Sequence, residues 1–173
     1  MSKCEIKSKK EIVIDAIKIE RELLGEKGGW QDQIASCYGG VNAITYHADD
    51  FTIEALQIDQ NDQKFISDHF KLYQTKMFRR SSDVSVQNHI TENSTVQTLK
   101  ETHALAQEML PVFRNKDWEK IGVNLSVAWN IKRLLPSVTN SELDDIYNYF
   151  LSHKVSGAKL LGAGAGGFFL VYA

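Results

Sequence analysis

Hydrophobic residues recur with a helical period near the beginning of the chain. From Glu11 to Leu24 they are spaced by three and four residues, which predicts an amphipathic helix that ends at Gly25. At about 100° per residue, Glu20 falls inside the apolar arc of this helix. A carboxylate in that position must be paired, protonated or bound to a cation. Alternatively, Glu20 lies at the edge of the stripe and reaches water along its own stem. The pattern leaves both interpretations open.

The period then changes to one typical of β-structure. Residues 41–47 and 51–58 mix or alternate apolar and polar side chains on either side of a turn at 48–50, which predicts a β-hairpin. A short helix is expected over 61–69, with Asn or Asp as its cap, and a strand over 70–75.

The second half of the chain is predominantly helical. One long helix or a broken pair is predicted over 85–114. A helix capped by Asp117 and ended by Pro136 is expected over 117–135, and another over 141–153, closed by Gly157. A strand, a glycine-rich loop and a second strand are expected over 158–173. His103 is expected to pack within the apolar stripe of the long helix, which comprises Val96, Leu99, His103, Ala106 and Leu110.

Composition restricts the class of protein. The chain has 173 residues, 43% of them hydrophobic and 24% charged, which is typical of a globular protein of one domain or slightly more. Its net charge of −2 indicates no basic surface for nucleic acid and no polybasic segment for a membrane. Cys4 and Cys37 form no CxxC pair, which favours a reducing compartment over a zinc site. With no signal peptide and no spanning segment predicted, we expect a cytoplasmic protein.

A glycine-rich stretch over 28–40 carries the first candidate chemistry. It places Asp32 between two glutamines in otherwise apolar surroundings. One interpretation is that Asp32 simply caps or begins a helix over 32–38. The other is that Asp32 is a functional carboxylate, and spacing alone does not separate the two.

The second glycine-rich stretch lies near the end of the sequence. Gly162, Gly164 and Gly167 satisfy the GxGxxG spacing. A dinucleotide site would need a helix after this loop and an acidic residue about 20 positions further on, whereas a strand follows here. The loop is therefore either a tight β connection or an anion site lined by backbone amides.

Basic residues are concentrated in two places. Residues 76–82, which include Arg79, form either an anion site or a solvated basic turn. Trp129, Lys132 and Arg133 lie at i, i+3 and i+4 and hence on one side of a helix. The tryptophan is expected to pack, and the basic pair either binds an anion or forms the solvated face.

Four segments together resemble the later half of a GHMP kinase. They are 16–25, 28–42, 129–133 and 157–167, and the similarity in order and spacing extends over 11–173. Within the family, the resemblance is closest to the branch that phosphorylates D-glycero-D-manno-heptose 7-phosphate.

The resemblance implies roles for both unusual carboxylates. Glu20 matches the family's Mg²⁺-binding glutamate, and Asp32 matches the aspartate that deprotonates or orients the acceptor hydroxyl. Phosphoryl transfer needs charge neutralisation at the phosphate and a positioned group near the attacking oxygen. ATP and Mg²⁺ are the implied cofactors. The implied phosphate-binding glycines are Gly162, Gly164, Gly166 and Gly167.

The heptose branch also implies a sugar phosphate as the small-molecule partner. Arg79 matches an arginine of that branch, and two lysines suit the same anion. The residues assigned to substrate binding are Gln31, Gly39, Gly40, Arg79, Lys132 and Lys159.

The implied fold is α+β. Residues 1–62 would be the tail of a ribosomal-S5-like N-terminal domain, and 63–173 a ferredoxin-like C-terminal domain. The family's early strand and its glycine- and serine-rich triphosphate motif would precede residue 1, so we expect a fragment whose partner is the missing N-terminal half. Lys76 stands where relatives commonly have glycine.

Three hypotheses follow. The first is an ATP- and Mg²⁺-dependent kinase for the anomeric hydroxyl of a heptose 7-phosphate, present as its C-terminal half. The second is a non-catalytic remnant or interaction module, and the third is a GHMP kinase for another sugar, such as fucose or galactose. Because the triphosphate motif supplies preorganised stabilisation, the chain alone is expected to be inactive.

Overall fold

The computed structural model describes residues 7–26, 29–48, 50–77 and 92–173. The chain divides into two compact units, Met1–Ile58 and Asp59–Ala173. Helices and antiparallel sheets occur in separate stretches of sequence, so the predicted α+β class is confirmed. The assignment of 1–62 to a ribosomal-S5-like domain stays a prediction.

The first unit begins with helix α1, Lys9–Lys18, which continues into a π-helical turn at Ile19–Leu23. Ser8 and Glu11 form a capping box that fixes where α1 starts. The predicted helix over 11–24 is thus correct in place but changes its winding after Lys18.

The predicted apolar stripe of α1 needs a correction. Val13 is fully buried, whereas Ile12, Ile19 and Leu23 are 46%, 51% and 77% exposed. Of the predicted apolar arc, the side that contains Val13 and Ile17 packs in the core, whereas the side that contains Ile12, Ile19 and Leu23 is exposed. This unit has a small core, in which Val13 packs with Ile34 and Phe51.

Helix α2, Gln31–Tyr38, precedes the hairpin of β1, Val41–Tyr46, and β2, Phe51–Leu56. The strands are antiparallel with Tyr46 opposite Phe51, as the alternation predicts. The edge of the Trp30 ring packs against Phe51, which ties the start of α2 to the hairpin.

The second unit contains a three-stranded antiparallel sheet. Its strands are β3, Phe70–Gln74, β4, Gly157–Leu160, and β5, Phe168–Tyr172, in the spatial order β3–β5–β4. Helix α3, Gln60–His69, leads directly into β3 and is capped by Asp59.

Three further helices complete the second unit. They are α4, Asn93–Arg114, α5, Trp118–Lys132, and α6, Ser141–Ser152. Asp117 caps α5 by accepting from the Lys120 amide, as predicted. The earlier part of the predicted 85–114 helix, 85–91, lies outside the described residues.

Two predictions about these helices are wrong. On α4, His103 and Ala106 are exposed and Leu99 is 39% exposed, while Thr95 and Thr98 are buried. The buried face carries threonines, and a search for regularly spaced apolar residues does not count threonine. Gly157 does not close α6 but begins β4, where its backbone packs so closely on Gly122 of α5 that an added Cβ would lie 1.9 Å from the Gly122 carbonyl.

The main core lies between α5, α6 and the sheet. Trp129 and Phe169 are fully buried and meet edge to face, with ring centroids 5.5 Å apart. Trp129 lies on α5 and Phe169 on β5, so this packing holds the strand that follows the glycine loop against α5. Among the described residues, no helix has the length and apolar character needed to cross a membrane.

Candidate functional site

Glu20 and Asp32 line the same groove on the first unit. The groove is open, with a volume of about 490 Å³. The structure therefore brings together the two carboxylates that the sequence singled out. The lining residues are Ile12, Val13, Ala16, Glu20, Asp32, Gln33, Ser36 and Cys37.

The π-helical turn sets the direction of Glu20. The Leu24 amide donates to the Ile19 carbonyl over 3.0 Å, a bond one residue longer than in an α-helix. The wider winding turns the residues after Lys18 away from the register of α1. Such turns occur frequently at functional sites. Glu20 is half-buried on the wall of the groove.

Asp32 lies in the first turn of α2. The N-cap is Trp30 and Asp32 is the second residue of the helix, so Asp32 is not the cap. Its carboxylate is exposed and makes no hydrogen bond or ion pair with any residue that the structure describes. A negative charge in the first turn is favourable because the helix amides point toward it. Burial, and then the charge of Asp32, raise the pKa of Tyr46.

Gln33 supplies a third polar group to the groove. Its Oε1 atom is buried and has no hydrogen-bond partner within the described part of the chain. Two carboxylates and an amide oxygen are hard oxygen donors of the kind that Mg²⁺ prefers. Mg²⁺ usually takes one or two carboxylates and completes its shell with water and substrate phosphates. The donor set therefore fits Mg²⁺, although no group of three His, Cys, Asp or Glu residues converges among the described residues.

The glycine loop of the second unit joins β4 to β5, as predicted. Gly162, Gly164, Gly166 and Gly167 all have positive φ angles, between 67° and 155°. The Ala165 amide donates to the Val138 carbonyl over 2.8 Å, and the Gly167 amide donates to Thr75 Oγ1 over 3.1 Å. Neighbouring segments thus hold the second half of the loop.

Two of the loop glycines are required by close approach. A Cβ on Gly164 would lie 2.9 Å from the Val138 backbone, and one on Gly166 would lie 2.6 Å from the Met77 carbonyl. By contrast, the amides of Gly162, Ala163, Gly164 and Gly166 donate to no carbonyl of the described residues. Unpaired backbone amides in such a loop can line an anion. A tight β connection does not require four unpaired amides of this kind.

Lys132 and Lys159 lie together on a second groove, between α4 and α5. Lys132 donates to the Leu160 carbonyl over 3.4 Å and also to the Gly162 carbonyl. Burial lowers the pKa of Lys132 to about 8, with a smaller effect from the charge of Lys159. Burial also lowers the pKa of Lys159. Neither lysine belongs to a solvated helix face.

The other basic residue of the predicted trio has a structural role. Arg133 forms a 2.6 Å ion pair with Asp144 and lies over the ring of Tyr147. Trp129 is buried in the core, as expected.

The remaining predicted substrate residues are distributed as follows. Gln31 is exposed in the first turn of α2, beside Asp32. Gly39 and Gly40 form the exposed connection from α2 to β1, both with φ of 67°. Arg79 lies outside the described residues, as does Gly28.

Sequence reasoning missed two residues next to these sites. Gln33 directly follows Asp32, and its amide was treated only as part of the polar surroundings. Thr75 accepts from the Gly167 amide and donates from its hydroxyl to the Gly167 carbonyl over 2.9 Å. Only the β3–β5 pairing reveals this contact, because the two residues are far apart in sequence.

Comparisons with known proteins identify the class of the second unit. Residues 109–172 match the family described as GHMP kinases C terminal. The crystal structure of a D-glycero-D-manno-heptose 1-phosphate kinase from Bacteriodes thetaiotaomicron has a similar fold, with a TM-score of 0.62 at 20% identity. That likeness covers 92% of this chain and 43% of the other. Residues 109–172 therefore match the GHMP kinase C-terminal domain, which confirms the recognition made from the sequence motifs.

Sequence relatives cover nearly the whole chain. The D-glycero-alpha-D-manno-heptose 7-phosphate kinase of Campylobacter jejuni is 30% identical over 168 residues, which are 94% of this chain and 49% of that protein. The bifunctional fucokinase/GDP-fucose pyrophosphorylase of Arabidopsis thaliana is 24% identical over 165 residues, or 91% of this chain and 16% of that protein. The chain thus spans about half the length of the heptose kinase that it matches. Both of these sequence relatives are named as kinases of sugars or sugar phosphates.

Proposed function

We propose that this chain provides the acceptor-activating part of an ATP-dependent sugar kinase that phosphorylates the anomeric hydroxyl of a heptose 7-phosphate. The observation that carries the proposal is the shared groove of Glu20 and Asp32. It occurs in a chain that aligns over 94% of its length with a heptose 7-phosphate kinase.

Asp32 is the proposed base. Its carboxylate is exposed on the groove and unpaired among the described residues, so it is available to accept the proton of a sugar hydroxyl. Its position in the first turn of α2 is favourable for a negative charge, because the helix amides point toward it. Gln31, Gly39 and Gly40 flank α2 and are the proposed contacts to the sugar.

Glu20 would hold Mg²⁺, with Gln33 Oε1 as a further oxygen donor on the same wall. When bound, Mg²⁺ neutralises charge on the transferring phosphate. The amides of the glycine loop are proposed to donate hydrogen bonds to phosphate oxygens of ATP. Arg79, Lys132 and Lys159 stay predicted contacts of the substrate phosphate.

The chain spans about half of its curated relative, so the activity is proposed for a completed enzyme. The test mixes this chain with the N-terminal half of the Campylobacter jejuni heptose kinase and measures ADP release with heptose 7-phosphate. We expect activity from the mixture and none from either part alone. Turnover by this chain alone would contradict the expectation, and an inactive but folded mixture would favour a non-catalytic remnant or interaction module.

One observation favours a different sugar as the substrate, namely the similarity to a plant fucokinase. A substrate panel of heptose 7-phosphate, fucose and galactose with the active mixture separates these possibilities. We expect the phosphorylated heptose to have the highest kcat/KM.

A further inference from the structure

The groove between α4 and α5 has an apolar body. The two helices are antiparallel, are joined at 115–117, and enclose a volume of about 240 Å³. Its apolar wall comprises Leu105, Met109, Phe113, Ile121, Leu125 and Ile131. Asn124 also lines this surface, and its side-chain NH₂ group donates a hydrogen bond to the Lys120 carbonyl of the same helix over 2.8 Å.

Positive charge is confined to one end of this groove. Phe113 and Ile121 lie near the helix connection, whereas Thr102, Lys132 and Lys159 lie at the opposite end. Eleven helical residues separate Thr102 from Phe113, which corresponds to about 16 Å along the helix axis. The groove thus offers a long apolar surface that ends in two ammonium groups.

These two ammonium groups have no counter-charge from any residue that the structure describes. Neither Lys132 nor Lys159 forms an ion pair with a carboxylate of the described residues. Lys132 donates only to the backbone carbonyls of Leu160 and Gly162, and Lys159 has no hydrogen-bond partner in the same described ranges. Placing like charges side by side away from water is unfavourable unless an anion joins them. The lowered pKa values of both lysines agree with this uncompensated burial.

We propose that the α4–α5 groove binds a medium-chain carboxylate, with its carboxyl group between Lys132 and Lys159 and its chain along the apolar wall. The geometry disfavours a sugar phosphate along the wall, because its hydroxyls would face side chains that cannot hydrogen-bond to them. This inference does not rest on the proposed kinase function, but it gives Lys132 and Lys159 a ligand other than the substrate phosphate. In a completed enzyme the carboxylate would compete with that phosphate for the two lysines. The inference concerns a ligand of the second unit alone and is tested without ATP.

Titration calorimetry of the full chain with decanoate tests the proposal. We expect saturable binding that weakens by up to about fourfold for each methylene removed in octanoate and hexanoate. Decanol, which has the chain without the charge, should bind at least about tenfold more weakly. Glucose 6-phosphate, which has an anion without the chain, should also bind more weakly than decanoate.

Two variants assign the binding to the groove. Lys159→Gln removes one ammonium group that makes no hydrogen bond to the described part of the chain. It should weaken decanoate binding at least about fivefold without changing decanol binding. Ala128→Leu fills the groove and should weaken both. Lys120→Gln, on an exposed part of α5 outside the groove, is the matched control and should change neither.

Several results would overturn the proposal. They are equal affinities for decanoate and decanol, unchanged decanoate binding in Lys159→Gln, or glucose 6-phosphate binding more tightly than decanoate. A different result would assign the groove to a second copy of the chain. In that case the wild type would self-associate without binding decanoate, and Ala128→Leu would abolish the self-association. None of these results changes the outcome expected in the kinase assay of the completed enzyme, so the two proposals can fail separately.

Discussion

Glu20 and Asp32 face one groove, although one lies on a π-helical turn and the other in the first turn of a different helix. Val13 and Ile34, one from each helix, are fully buried in the same small core, which holds α1 and α2 together. The convergence of the two carboxylates is therefore a consequence of packing in the first unit. It gives the proposed phosphoryl transfer a specific pair of groups to test.

Glu20→Gln is expected to raise the Mg²⁺ concentration needed for half-maximal activity of the completed enzyme by about tenfold or more. The neutral amide keeps the shape of the side chain but loses the charge that attracts the cation. Glu22→Gln is the control, because Glu22 lies on the same π-helical turn but lines a different groove. An unchanged Mg²⁺ dependence in Glu20→Gln would remove its assigned role.

Gly164→Ala is expected to destabilise the second unit by more than Gly162→Ala. Both glycines have positive φ, but a Cβ on Gly164 meets the Val138 backbone at 2.9 Å whereas one on Gly162 meets nothing within 4 Å. Backbone strain alone costs about 1–3 kcal/mol at such positions, and the overlap adds to it at Gly164 only. Urea unfolding of the two variants measures the difference, and equal stabilities would contradict the close packing of the loop.

Phe169→Ala is expected to lower the free energy of unfolding by about 3–5 kcal/mol. Phe169 is fully buried between Trp129 and Phe150, with ring centroids 5.5 Å and 5.4 Å away. Its neighbour Phe168 is 44% exposed, so Phe168→Ala is a matched control with a much smaller expected loss. Chemical unfolding followed by circular dichroism compares the two, and a similar loss in both would contradict the assigned core.

Asp62 is expected to stabilise the second unit above about pH 4 and to lose this effect toward pH 2. Hydrogen bonds from Lys116 and Trp118 lower its pKa from 3.8 to about 2. The Lys116 Nζ lies 2.5 Å from one carboxylate oxygen, and the Trp118 Nε1 lies 2.9 Å from the other. A carboxyl group with a lowered folded-state pKa binds protons more readily when the chain is unfolded, so stability falls as the pH drops through this range.

The test compares the wild type with Asp62→Asn between pH 2 and pH 6. The difference in their unfolding free energies should be largest near pH 6 and should shrink toward pH 2. Asp68→Asn is the control, because Asp68 pairs only with Lys64 on an exposed face of α3 and should have a smaller effect. A difference between wild type and Asp62→Asn that stays constant with pH would contradict the assigned interactions.

Local sequence signals predicted most elements of this fold. The hairpin, α3, the caps of α3 and α5, and the strand–loop–strand ending follow from alternation, capping residues and glycine. These signals depend on residues that are close in sequence, so they can be recognised without knowledge of tertiary contacts.

The missed features depend on contacts between distant residues. No local pattern specifies the π-helical turn that directs Glu20, and the buried threonines of α4 do not resemble an apolar stripe. Likewise, the placement of Lys132 and Lys159 on one groove requires the packing of β4 beside α5. At the candidate site, the sequence identified both carboxylates but not Gln33, because an unpartnered amide becomes visible only after the fold buries it.

The most direct test of the account is the kcat of Asp32→Asn in the mixture with the N-terminal half of the Campylobacter jejuni heptose kinase. We expect kcat for heptose 7-phosphate to fall by about 10²–10⁴-fold, because the amide cannot accept the hydroxyl proton. Asp15→Asn, which changes a carboxylate of α1 that pairs with Lys7 outside the groove, should retain nearly full activity. Equal activity of Asp32→Asn and Asp15→Asn would contradict the central claim that Asp32 acts on the sugar hydroxyl.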